Sequence, residues 1–206
     1  MGRIRALVVV LLLVWAAASP APAADHVIVA LGDSLTAGLG VGADEAYPAL
    51  LEARLRREGF DYRVVNAGVS GDTSAGGLRR LDWALRLGPD VVIVALGAND
   101  GLRGQPPDAL RGNLTRIVER ARAAGARVLL AGMRVPPNYG ADYARAFAGV
   151  YPAVARTTGV PLAPFLLDGV AGDPRLNQAD GIHPTAEGQR IIAERLWTHL
   201  RPLLAK

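Results

Sequence analysis

The sequence predicts an α/β protein, a three-layer αβα sandwich around a parallel sheet, on three observations. Short apolar runs rich in β-branched residues recur five times, segments with a 3.6-residue apolar period lie between them, and the connections are long enough for right-handed crossovers. Five strands in strict alternation with helices fit a flavodoxin-like arrangement, with helices on both faces of the sheet. At 206 residues, half of them hydrophobic and 20% charged, the chain is long enough for one well-buried domain and too short for two ordinary ones.

The first element is a leader. Arg3 and Arg5 precede an apolar run from Ala6 to Ala18, followed by Ser19-Pro20-Ala21-Pro22-Ala23, which is the pattern of a signal peptide with small residues at its cleavage site. The run is shorter than the roughly 20 apolar residues a membrane span requires. We therefore expect residues 1–23 to be removed, residues 24–206 to form one domain, and the mature protein to be periplasmic or secreted without a stable membrane anchor.

The strands expected are His26–Leu31, Tyr62–Asn66, Asp90–Leu96, Arg127–Ala131 and, with a weaker pattern, Gly159–Ala163. The helices expected between and after them are Ala46–Glu58, Ala75–Leu87, Pro107–Ala124, Ala141–Thr157 and Thr185–Leu200. In a sheet of this kind ligands bind beyond the carboxyl ends of the strands. Four loops leave those ends, Gly32–Gly40, Ala67–Ser74, Gly97–Pro106 and Gly132–Gly140, and they hold most of the glycine clusters.

Composition excludes several classes. Without cysteine there is no disulfide framework and no thiol for lipid attachment. Losing Arg3 and Arg5 with the leader takes the formal charge from +4 to +2, too little for a nucleic-acid surface, and the arginines spread along helical segments read as a solvated face. No His or carboxylate pair has ligand spacing on a helix face, so no metal is expected.

The loops carry the reactive residues. Ser34, in Gly32-Asp33-Ser34-Leu35-Thr36-Ala37-Gly38, follows the first strand, where a serine serves either as a helix cap or as a nucleophile. Of the three histidines, His26 starts a strand at the opposite end, His199 lies late in a helix and is expected to be exposed, and only His183 occupies a loop. Asp180, three residues before it across Gly181, has the reach to accept its Nδ1–H and leave Nε2 facing a serine; Asp180 as a helix cap is the alternative, but Thr185 suits the cap better. Gly68 and Asn99 stand at the next two strand ends. Each is either a turn residue or a donor to a developing oxyanion, the glycine through its N–H and the asparagine through its amide. Asp33, Asp72 and Asp100 read as residues that shape their loops.

Four blocks, Gly-Asp-Ser-Leu-Thr-Ala-Gly from Gly32, Asn-Ala-Gly-Val-Ser-Gly-Asp-Thr from Asn66, Leu-Gly-Ala-Asn-Asp-Gly-Leu-Arg-Gly from Leu96 and Asp-Gly-Ile-His-Pro-Thr from Asp180, resemble in order those of the SGNH, or GDSL-type, hydrolases. Within that superfamily the chain is most similar to the bacterial periplasmic arylesterase, thioesterase I and lysophospholipase group. The resemblance implies Ser34 as nucleophile and donor of its own N–H, Gly68 and Asn99 as the remaining oxyanion donors, and Asp180 and His183 as the rest of a triad. It also implies that the loop Gly101–Pro106, which its glycines leave free to move, covers the acyl chain, so Leu35, Leu102, Arg103, Pro136, Pro137 and Ile182 are expected to bind substrate, with ordinary loop packing as the alternative for the apolar ones. The substrate expected is a small acyl ester, thioester or lysolipid, cleaved by a monomer without nucleic acid or cofactor. A carbohydrate O-acetylesterase on the same fold and a noncatalytic exported binding protein are the competing readings.

Overall fold

The computed structural model describes residues 26–205; the expected leader and its cleavage site lie outside them. Five parallel strands, β1 (His26–Gly32), β2 (Tyr62–Gly68), β3 (Val91–Ala95), β4 (Arg127–Ala131) and β5 (Leu162–Ala163), form one sheet in the order β2-β1-β3-β4-β5. β1 lies between β2 and β3, pairing with β2 through Gly32↔Gly68 and with β3 through Gly32↔Ala95, so these three strands end level with one another. The chain moves to one side of β1 for β2 and to the other side for β3. The strand order therefore reverses between β1 and β3, which is where crevices open in such sheets.

Two short helices, α1 (Ser34–Ala37) and α4 (Ala98–Leu102), follow β1 and β3, and five longer ones cover the sheet: α2 (Tyr47–Arg57), α3 (Ser74–Leu85), α5 (Pro107–Ala123), α6 (Ala141–Thr158) and α7 (Ala186–Leu200). α2 packs on α7, while α5 lies between α3 and α6. The period that predicts α5 is also the one it buries, since Leu110, Leu114, Ile117, Val118 and Ala121 all face inward. Against them and the opposite layer, Ile28–Leu31 and Val91–Leu96 are wholly buried, and each such Leu, Ile or Val contributes about 1.5–3 kcal/mol. Among the described residues no helix is long and apolar enough to cross a membrane.

The expected strand over Gly159–Ala163 is shorter than its sequence suggests. Gly159 closes α6 in a left-handed conformation and Pro161 has no N–H to give a ladder, which leaves only Leu162 and Ala163 paired. The two short helices fall within segments that the sequence pattern presents as loops. They matter because each starts directly beyond a strand end, where the first N–H groups of a helix have no acceptor within it.

Candidate active site

The site grows from the end of β1. Asp33 caps α1, its Oδ1 accepting the Leu35 N–H at 3.0 Å, and Ser34 is the first residue of that helix, a position whose N–H finds no acceptor within the helix. The Ser34 hydroxyl lies 2.9 Å from Nε2 of His183. His183 Nδ1 is 2.6 Å from Asp180 Oδ2, and the other carboxylate oxygen of Asp180 accepts the N–H groups of Ile182 and His183 at 3.0 Å each. Gly181, at φ +75°, makes this fold-back possible. The hydrogen bond from His183, then those from the two N–H groups, hold the Asp180 carboxyl down at about 2. An ionised carboxylate only accepts, so Nδ1 must carry the proton of the neutral ring, and Nε2 is left as an acceptor for the serine hydroxyl.

The base loop is anchored at its stem. Gln178 Nε2 donates to Leu39 O at 2.7 Å and to Pro184 O at 2.9 Å, while Thr185 caps α7 as expected. The contact to Leu39 joins the base loop directly to the segment after α1.

Gly68 ends β2 beside α1, where a Cβ would run into Ala37 N and Asp33 O, so only glycine lets the two elements meet. Its N–H, one of the expected oxyanion donors, is given to Asn66 Oδ1 at 3.0 Å. Asn99, in the first turn of α4, uses one amide hydrogen on Asp72 O at 3.0 Å, which leaves the other unused and fixes the plane of the amide. Gly97 precedes it at φ +118°, and a Cβ there would overlap the Tyr151 hydroxyl.

Beneath these groups runs a polar scaffold. Asp100, 1% exposed, accepts Ser74 N at 2.8 Å and Ser74 Oγ at 2.5 Å. Arg80, which sequence reading placed on the solvated face, instead clamps three loops: it donates to Ala67 O and Gly32 O at 2.7 Å and to Asp72 at 2.6 Å. Asp72 and Asp100 thus shape their loops as expected. Asp33 does so too, but its Oδ2 is buried with no protein partner, and burial pushes its carboxyl up to about 6.

A cavity of about 530 Å3 opens over Ser34 and His183. Leu35, Asn99, Leu102, Pro136 and Ile182 line it, as do Arg134, Val135, Phe165 and Leu167, which sequence reading missed. These residues follow β4 and β5, and nothing in the local sequence after β5 marks it as part of the site. Arg103 is placed elsewhere than expected. It does not line the cavity, and its guanidinium reaches across to Gly71 O at 2.8 Å, tying the α4 loop to the loop after β2. Pro137 opens a single 3-10 turn over Pro137–Tyr139. His26 pairs with Asp90 at 3.1 Å at the far end of the sheet, and His199 is half-buried rather than exposed. Among the described residues no group of His, Cys, Asp or Glu could hold a metal ion.

A family model described as GDSL-like Lipase/Acylhydrolase matches residues 30–191, a span that includes every residue of the site. This chain belongs to that family. Two relatives within reach of it are an Esterase TesA of Pseudomonas aeruginosa, 50% identical over 183 residues (88% of this chain, 91% of that protein), and the Thioesterase 1/protease 1/lysophospholipase L1 of Escherichia coli K12, 43% identical over 185 residues (89% and 87%). The crystal structure of TesA is similar across the whole fold, with a TM-score of 0.85 at 49% identity, covering 87% of this chain and 100% of that one. With relatives this similar over nearly their full lengths, the chain is an enzyme of the family's carboxylic ester hydrolase class.

Proposed function

We propose that the chain is an exported serine hydrolase that cleaves acyl esters, and acyl thioesters or lysophospholipids, through an acyl-enzyme formed on Ser34. The observation that carries this reading is the unbroken chain of hydrogen bonds from Asp180 through His183 to Ser34, ending in a cavity with apolar walls. His183 Nε2 takes the hydroxyl proton as Oγ attacks the carbonyl carbon; the tetrahedral intermediate then expels the alcohol or thiol, which leaves with that proton. Water attacks the acyl-enzyme in the same way, with His183 again accepting and returning the proton. Asp180 holds the ring and stabilises its charged form throughout.

The oxyanion is met by the Ser34 N–H, the second amide hydrogen of Asn99 and the Gly68 N–H, the last of which exchanges Asn66 for substrate as charge develops. Leu35, Leu102, Pro136 and Ile182 offer the acyl chain an apolar wall. Export rests on the leader in the sequence. The wording of the relatives, esterase in one and thioesterase and lysophospholipase in the other, supports the choice of substrates.

Labelling by a fluorophosphonate, which reacts with activated serines, tests the assignment together with hydrolysis of p-nitrophenyl esters. Wild type should label and turn over, and Ser34→Ala should do neither while keeping its circular dichroism spectrum and melting temperature. Labelling that survives in Ser34→Ala would move the nucleophile elsewhere.

A further inference from the structure

Among the described residues, Arg134 is the one permanently charged side chain in the lining of the site cavity. It lies on the loop after β4 and is exposed, with its guanidinium carbon 4.9 Å from the centroid of the Phe165 ring. That stacking holds the planar group by its face and leaves its N–H edge free. Among the described residues it makes no ion pair and no side-chain hydrogen bond, unlike Arg80 in the scaffold or Arg195 nearby, which pairs with Asp168 at 2.7 Å.

Arg134 and Phe165 also line a second cavity, of about 450 Å3, which runs along β5 toward α7. The stacked pair therefore stands where the two spaces meet, with Ser34 and His183 on one side and Asp168, Glu194, Arg195 and His199 on the other. A substrate bound at Ser34 whose leaving group extends from the first cavity toward the second passes this guanidinium. A planar fork with unused donors at a fixed place is matched by a group with two anionic oxygens, and phosphate fits it best.

We propose that Arg134 is a specificity-determining residue that recognises a phosphate on the acyl donor, a reading that rests on the ester hydrolase function proposed above. The phosphate belongs either to the glycerol headgroup of a lysolipid or to the carrier of an acyl thioester. Substrates without one bind through the apolar wall alone.

Two matched pairs separate these cases: 1-octanoyl-sn-glycero-3-phosphate against 1-octanoylglycerol, and octanoyl-CoA against S-octanoyl-N-acetylcysteamine. In each pair the scissile bond and acyl chain are the same, and only one member carries phosphate. Arg134→Gln should lower kcat/KM for the phosphate member about ten-fold or more, chiefly through KM, and leave the neutral member within about two-fold. A loss confined to the first pair identifies a lipid headgroup as the source, and one confined to the second identifies the thioester carrier. Wild-type preference for the phosphate member should also weaken as salt is raised. Arg134→Lys, which restores the charge without the fork, should recover part of the preference. The proposal is overturned if both members of each pair change alike, if neither changes, or if Arg134→Lys is as defective as Arg134→Gln. Wild type that hydrolyses none of the four compounds would instead remove the hydrolase reading on which the proposal stands.

Discussion

Ser34 and His183 meet at 2.9 Å, yet the two segments that bring them together are built in opposite ways. Ser34 follows the interior strand β1, is 8% exposed, and lies beside a network in which Arg80 ties Asp72 to the ends of β1 and β2, Asp100 holds Ser74, and Gln189 of α7 donates to Leu35 O. His183 comes from a long connection after the shortest strand, and its orienting partner Asp180 has a side chain 46% exposed. Its position depends on hydrogen bonds within the turn and on Gln178 at the stem. The core of the sheet thus fixes the nucleophile, and a local turn fixes the base. Changes in the scaffold beneath the nucleophile should therefore register in stability, and changes in the turn that carries the base in rate.

The largest expected effect is on the base side. Asp180→Asn should lower kcat on the order of 10⁴-fold, because an amide donor facing Nδ1 favours the tautomer that cannot accept the serine proton. Since Asp180 is exposed, the melting temperature should stay within the range of an ordinary surface substitution. A large drop in melting temperature would mean that the base loop is part of the folding core and would break the distinction between the two sides.

The nucleophile side is probed by Asp33. Its buried carboxyl titrates near 6 in the fold against 3.8 as an ordinary carboxyl, so the folded chain holds a proton between those values that the unfolded chain has lost. The stability it contributes is fully present below about pH 4 and lost as pH rises through about 6. Asp33→Asn still caps α1 through its side-chain oxygen but cannot ionise. Relative to wild type it should gain up to about 3 kcal/mol between pH 4 and pH 7, measured by urea denaturation across that range. A constant difference at all pH values would show that Asp33 is not shielded from water.

The smallest effect belongs to a residue on neither scaffold. Leu102, 38% exposed at the end of α4, lines the cavity that opens over the serine. Leu102→Ala should cost about 1–3 kcal/mol of transition-state binding for long acyl chains and little for acetate. The kcat/KM values for p-nitrophenyl esters from acetate to laurate should show that slope; an equal loss at every length would place the damage in the turn that carries Asn99.

The sequence by itself determined the α/β class, the strand and helix alternation, and the segments that carry Ser34, Gly68, Asn99, Asp180 and His183. Those features depend on local periodicity, on glycine at turns and on residue types a few positions apart, all of which act along the chain. It did not reveal that Arg80 leaves the solvated face to clamp Gly32, Ala67 and Asp72, that Arg103 turns to Gly71, or that Arg134 stands in the cavity against Phe165. An arginine has the same composition and similar spacing in all three roles. Where its long side chain ends is decided by which carbonyls, carboxylates and rings the folded layers bring within its reach, and those come from segments far apart in the sequence.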